Sequence, residues 1–493
     1  MQPLNLKRQS NSRLLLFIGC IVFHVLGTWN LPLIDRDEPR FAEASREMRE
    51  RHDYIVPYFN GQHRFDKPPL TYWAQAASYS VLGENDFAAR FPTAIAAGLT
   101  ALVILAWGIK LAGLRIGWAA AILFTLSLQT FLHGKAAVAD MWLVLFMTTG
   151  FWAGLEWTEG LSNEPSCNRP PIPRVAASWL WFVLSLALAF LAKGPIGFIP
   201  LIPVIWIGVG HRRTNILVWS GLALLGAAAI ICSWAVPALI RTDGEFFRVG
   251  IGRHVVARSI GAMEGHGAKS LAVYLLLLPF YFVTVFISFF PWSVKLPWLV
   301  RRVRKQQDPT DVYLIIGILS VFGIFTFVAT KLPHYTLPAF PLLSLLLARH
   351  WLKGETFRTF RWVASSAAAT WIMIALVVPP LVARFFPSYA LFQRARDYLR
   401  PEMELASVGY AEPSIVWYFR SRLKGFLVPA TNKNFREFMA TPGPRAIILG
   451  GEEERVTPTG QHWRSFRASG FNIPKGRKVD LVLLLKADER PNN

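Results

Sequence analysis

The chain has 493 residues, of which 53% are hydrophobic and 17% charged, and its mean hydropathy is +0.35. The apolar residues come in long blocks, which excludes an ordinary soluble domain and indicates a polytopic membrane protein. A formal net charge of +21 would point to nucleic acid in a soluble protein. Here many Lys and Arg fall in short loops between apolar blocks, so topology and anionic lipid headgroups explain the charge and no nucleic-acid partner is expected.

The first residues, "MQPLNLKRQSNSR", precede an apolar run with no small-x-small cleavage pattern. An uncleaved first helix is expected, with Lys7, Arg8 and Arg13 holding its start in the cytoplasm. Blocks long enough, or nearly so, to span a bilayer follow at about 14–34, 88–111, 116–132, 140–158, 176–193, 195–210, 215–240, 269–293, 311–330, 336–350 and 362–384. About 11 to 13 transmembrane helices are therefore predicted. Their cytoplasmic loops carry Lys110 and Arg115, Arg169 and Arg174, "HRR" (211–213), "RRVRK" (301–305) and "RHWLKGETFRTFR" (349–361), as the positive-inside rule requires. The outer loops are then 35–87, 133–139, 241–268 and 331–335, with the last hundred residues outside as well. Cys20 and Cys232 lie in apolar blocks and Cys167 in a Pro-rich inner linker, so neither a disulfide framework nor a cysteine metal site is implied.

From about residue 385 the composition changes. Strand-like "ELASVGY" (404–410), "RAIILG" (445–450) and "VDLVLLL" (479–485) alternate with helix-like "PSIVWYFRSR" (413–422) and "NFREFM" (434–439). This predicts a small α/β domain over 385–493, after a transmembrane domain over 1–384 whose first outer loop is 35–87.

The unusual polar residues fall on the outer side. Asp37, Glu38 and Arg40 follow the first span, Asp66 and Lys67 lie in "HRFDKPPL", and Arg90 starts the second span. His133, Lys135 and Asp140 lie between the third and fourth, Lys193 ends the fifth, and Arg253, His254 and Arg258 stand in "GRHVVARS"; Lys331, His334 and Tyr335 stand in "TKLPHY". The span interiors are nearly free of carboxylates, unlike an ion-coupled transporter or lipid-sugar flippase. Carboxylates ringed by Lys, Arg and His suit a lipid substrate with a sugar and a phosphate: cations hold the phosphate oxygens, and an acid acts as base, orients the sugar or holds a divalent cation. Each residue also has a plainer reading. Asp37 can cap a helix lying on the membrane with Phe41, Ala44, Ser45 and Met48 beneath it. Lys67 and Lys193 can snorkel, His254 can be a solvated loop histidine, and Asp140 can cap its helix.

Seven stretches in order carry a resemblance: "DRDEPRFAEASREM" (35–48), "IVPYFNGQHRFDKPPLTYW" (55–73), "GENDFAARFPTA" (83–94), "KAAVADMW" (135–142), "LAKGPIGF" (191–198), "RHVVARS" (253–259) and "KLPHYTLPAFP" (331–341). The chain resembles the bacterial aminoarabinose transferases that modify lipid A, a branch of the GT-C glycosyltransferases related to the dolichyl-phosphate-mannose protein mannosyltransferases. The resemblance implies a GT-C fold, an undecaprenyl-phosphate sugar donor and inverting transfer at the periplasmic face of the inner membrane, to lipid A or another glycolipid acceptor. Asp37 then matches a catalytic aspartate and Asp140 a second functional acid, with Arg40, Asp66, Lys67, Arg90, Lys193, His254 and Tyr335 as substrate-binding positions. No cofactor is fixed; a divalent cation would fall to Asp37 and Glu38. Asp66 and Arg253 differ from the Glu that the family carries at these positions. A protein glycosyltransferase, a flippase and a noncatalytic sensor are the rival readings.

Overall fold

A computed structural model of the protein describes residues 3–161, 172–257, 271–306, 308–352, 357–431, 434–450 and 463–486. The apolar blocks become helices. In chain order these elements are α1 (Pro3–Val25), α2 (Asp37–Glu50), the hairpin β1 (Tyr58–Phe59) and β2 (Gln62–His63), α3 (Leu70–Leu82), α4 (Asp86–Ala112), α5 (Leu114–Thr125) and α6 (Leu128–His133). Next come α7 (Asp140–Gly160), α8 (Ile172–Lys193), α9 (Leu201–Gly210), α10 (Thr214–Arg241), a wide π-type helix at Phe246–Ala257, α11 (Leu271–Leu276), α12 (Phe280–Ser288), α13 (Leu296–Lys305), α14 (Pro309–Phe327), α15 (Phe340–Trp351) and α16 (Phe357–Val382). The tail adds α17 (Pro387–Ala395), β3 (Glu404–Val408), α18 (Pro413–Arg420), β4 (Leu427–Pro429), α19 (Phe435–Ala440), β5 (Arg445–Gly450), β6 (Trp463–Asn472) and β7 (Arg477–Lys486).

Among the described residues, six helices are long and apolar enough to cross a membrane: Asn11–Asn30, Asp86–Ala112, Ile172–Lys193, Thr214–Arg241, Pro309–Phe327 and Phe357–Phe385. The chain is thus a multi-pass membrane protein. Several of the expected blocks are interrupted. The block at 116–132 breaks between α5 and α6, 269–293 breaks ahead of Pro279, and 336–350 opens as a tight 3-10 turn over Pro333–Ala339. At the last two, proline lacks the N–H and crowds the preceding turn, so α-helix gives way; the break at Leu126 and Ser127 has no proline.

The chain divides into two compact units. One comprises residues 1–25, 65–71 and 92–372, and the other residues 26–64, 72–91 and 373–493. The second unit therefore takes in not only the expected tail domain but also most of the first outer loop.

In the first unit, close helix approach rests on small residues. A Cβ on Gly108 of α4 would sit 2.6 Å from the Gly117 Cα of α5, so only glycine permits this crossing. Helices α7 and α8 pack along their lengths around Phe151, Trp157 and Phe182, all buried. The buried Tyr313 of α14 donates to the Phe151 carbonyl at 2.8 Å, which satisfies a polar group that would be costly to bury alone.

In the second unit, β4-β3-β5-β7-β6 form one sheet. The β3–β4 and β3–β5 pairs are parallel, and β7 runs antiparallel to both β5 and β6. Ala406, Val408, Ile447, Leu449, Val482 and Leu484 form its core with Phe435 of α19. Helix α18 is buried at every position and packs on α2. Helix α2 is therefore not the membrane-surface helix its weak apolar stripe suggests: ten of its residues, Glu43, Arg46 and Glu47 included, are buried inside protein. The Arg420 guanidinium reaches Glu43 and Glu50, and the Arg46 guanidinium donates to the Trp417 carbonyl at 2.7 Å, so the polar residues of α2 meet partners from the tail instead of water.

Candidate functional site

Three acids open the segment around α2, and the structure gives each a different environment. Glu38 is buried and held by the equally buried Arg90, whose Nε reaches Oε1 at 2.9 Å and whose Nη2 reaches Oε2 at 2.7 Å. The other guanidinium donors go to the carbonyls of Thr28, Leu31 and Pro32, while the Ile34 amide donates to Glu38 Oε2 at 2.7 Å. The Arg90 fork, expected to bind substrate, is here spent on the protein's own backbone and on one carboxylate. Glu38 likewise commits both oxygens, to Arg90 and the Ile34 amide.

Asp35 is tied to the tail. The Ser414 amide donates to Oδ1 at 2.8 Å and the Ser414 hydroxyl to Oδ2 at 2.5 Å, at the first turn of α18. Beside them Arg36 Nε meets Glu412 Oε2 at 3.3 Å, and Asn472 donates to the other Glu412 oxygen at 2.9 Å. Burial pushes the Asp35 carboxyl up to about 7, outweighing the Ser414 hydrogen bonds that favour its charged form; Glu412 raises it further and Arg40 draws it down.

Asp37 differs from both neighbours. It is exposed, begins α2, and makes no hydrogen bond or ion pair among the described residues. A carboxylate at a helix start is favoured by the helix dipole. Arg40, one turn on, is half-buried.

The first unit gathers a second group. Asp140 begins α7 and Lys193 ends α8, and their Oδ1 and Nζ lie 2.5 Å apart. Both are largely enclosed, with side chains 10% and 15% exposed. His334 Nε2 stands 3.8 Å from the same carboxylate oxygen, the His133 and His334 rings are 4.7 Å apart, and the Tyr335 ring lies 5.0 Å from that of His334 and 5.3 Å from Lys193 Nζ. Burial holds the His334 imidazole well below the ordinary histidine range against the pull of Asp140. Lys67 joins it electrostatically, its charge acting on His334, while its ammonium donates to the Asp66 carbonyl at 3.2 Å. Asp66 is half-buried beside it. The helix carrying His254 rests on Phe65, its Phe246 ring 5.8 Å away; the His254 side chain lies outside the described residues.

So Lys67, Asp140, Lys193 and Tyr335 come together. His133 and His334, two of the outer polar residues of the sequence, complete the group, the latter signalled by its place beside Tyr335. His133, Asp140 and His334 offer donor atoms within 4.8 Å of one another, a set able to hold a metal ion. Lys193 already occupies the Asp140 oxygen, so any ion would compete with an ammonium.

Comparisons with known proteins follow the same direction. The family profile of dolichyl-phosphate-mannose-protein mannosyltransferases matches residues 13–248. A protein of Aeromonas salmonicida named undecaprenyl phosphate-alpha-4-amino-4-deoxy-L-arabinose arabinosyl transferase is 27% identical over 76% of this chain and 66% of its own length. One of the same name from an Enterobacter strain is 25% identical over 89% of this chain and 75% of its own. The chain thus spans about two thirds to three quarters of the length of these curated relatives. The crystal structure of ArnT from Cupriavidus metallidurans bound to undecaprenyl phosphate superposes with a TM-score of 0.75 at 17% identity, covering 95% of this chain and 97% of that one. This likeness shows the fold, a mainly helical membrane protein with a small sheet domain near its C-terminus.

Proposed function

We propose that this relative of the undecaprenyl-phosphate aminoarabinose transferases, sharing their fold, is an inverting glycosyltransferase. It moves a sugar, 4-amino-4-deoxy-L-arabinose or a close analogue, from undecaprenyl phosphate to lipid A or another glycolipid. The protein lies in the bacterial inner membrane with its N-terminus cytoplasmic and both its candidate site and tail domain periplasmic, as the basic inner loops support.

The observation that carries this reading is Asp37, an exposed carboxylate without a partner among the described residues, set between two acids that are each tied down. An acid that did only structural work would resemble its neighbours. In the proposed reaction the acceptor oxygen attacks the anomeric carbon as the bond from that carbon to the donor phosphate breaks, and the bonding electrons leave on the phosphate oxygen. Asp37 takes the proton of a hydroxyl acceptor, or orients a phosphate acceptor and stabilises positive charge on the sugar ring. Lys67, Lys193 and Tyr335 supply donors for the phosphate, and Arg40, Asp66 and His254 line the substrate. Asp140 holds the Lys193 ammonium in place.

Purified enzyme given labelled undecaprenyl-phosphate sugar and lipid A tests the proposal. Asp37→Asn is expected to lower turnover at least 100-fold, within the usual range for loss of a general base. Full activity in that variant sinks the assignment, and intact donor recovered with no release of undecaprenyl phosphate sinks the enzyme reading.

A further inference from the structure

Helix α13 carries a cluster that the proposed reaction leaves unused. Its sequence "LPWLVRRVRK" turns Leu299 and Val303 inward, 4% and 8% exposed, and leaves Arg301, Arg302, Arg304 and Lys305 outward. None of these four cations makes a hydrogen bond or ion pair among the described residues. The acids of the next turn are already taken: Asp308 is held by Arg349, and Asp311 by Arg349 and His350.

Two of the four, Arg301 and Arg304, stand at the rim of a groove of ≈ 770 Å³ between α12, α13, α14 and α15. Its walls include Val285, Val303, Leu319 and Phe322, and on α14 the lining runs from Ile315 to Phe322, two helical turns. An apolar trough ending in unpaired guanidinium groups is complementary to a molecule with a hydrocarbon body and a negative head. Arginine is weakly hydrated and presents a planar fork matched to phosphate oxygens, so the rim selects a phosphodiester over a neutral headgroup.

We propose that this groove is a binding site for one anionic phospholipid, its acyl chain along α14 and its phosphate between Arg301 and Arg304. Under the proposed orientation the lipid belongs to the cytoplasmic leaflet, where anionic headgroups and basic helices meet. The site is separate in composition from the acids and histidines above and shares no residue with them.

Native mass spectrometry of the full chain, purified in detergent and given phosphatidylglycerol or phosphatidylcholine, tests the proposal. Each basic residue near an anionic headgroup contributes about fivefold, so the pair predicts roughly 30-fold preferential retention of one phosphatidylglycerol. Arg301→Gln with Arg304→Gln is expected to bring that preference close to one while leaving transfer activity unchanged. Arg302→Gln with Lys305→Gln, on the same helix but off the rim, keeps most of it. Equal retention of the two lipids by the native protein overturns the proposal. So does an equal loss from the rim and off-rim pairs, which would reduce the effect to general surface charge. Displacement of the lipid by stoichiometric undecaprenyl phosphate would assign the groove to the polyprenyl tail instead and likewise overturn it.

Discussion

Arg90 separates a residue that binds substrate from one that holds the loop beside it. Arg90→Met keeps most of the volume and removes the guanidinium, leaving the Glu38 carboxylate buried without its cation and the carbonyls of Thr28, Leu31 and Pro32 without their donor. Breaking a buried pair by removing one partner costs about 3–5 kcal/mol. Arg90→Lys is expected to recover only part of this, because one ammonium cannot satisfy two carboxylate oxygens and three carbonyls. The assay is thermal unfolding of the purified protein in detergent, with donor KM measured on the fraction that remains folded. Arg90→Met should melt earlier with a KM within twofold of the parent, and adding Glu38→Gln should restore about 1–3 kcal/mol, since the double variant no longer buries a lone charge. A variant that melts with the parent but raises donor KM tenfold would refute the structural reading and return Arg90 to the substrate.

Asp37→Asn should leave the melting temperature where it is, with a change within about 0.5 kcal/mol, because the carboxylate has no partner among the described residues to lose; a large drop would show that Asp37 holds the fold. Lys193→Ala strands Asp140 beside two histidines and should cost about 3–5 kcal/mol, partly recovered by Asp140→Asn, as read by the same melts. The pH dependence follows from Asp35, whose carboxyl ionises near 7 in the folded protein against about 4 in an unfolded chain. Between those values the folded state binds the extra proton, so this stabilisation is present at low pH and is lost as pH rises towards 7. Melts from pH 4.5 to 8 should show it, and Asp35→Asn should flatten the slope without abolishing it, since Glu47, also raised to about 7, acts with the same sign. An unchanged slope in Asp35→Asn would remove Asp35 from the account.

Elements with a strong period or a long apolar run were legible from the residues. Strands β3, β5 and β7 and helices α18 and α19 fall on the runs that predict them. Strand β6 escaped because it alternates Arg464, Ser465, Arg467 and Ser469 along an edge strand that is largely exposed, and β4 because it is three residues ending in proline. The burial of α2 was hidden for a related reason: its charged residues are matched by charges some 370 positions away, and a local pattern cannot tell a paired arginine from a solvated one. The partners of Arg90 were hidden in the same way. The grouping of Asp140 with Lys193 depends on two helices packing antiparallel, which spacing alone does not report. Asp37 stood out only through the family resemblance, and its exposure among tethered neighbours supplies an independent physical reason to look there.

The bond from Ser414 to Asp35 joins residues 379 positions apart. Such a contact imposes a delay during synthesis. At about 5–20 residues per second the ribosome needs roughly 20–75 s to travel from one partner to the other. Throughout that interval the segment carrying Asp37 lacks the sheet domain that fastens it, so under the proposed function transfer begins only once the tail has been made.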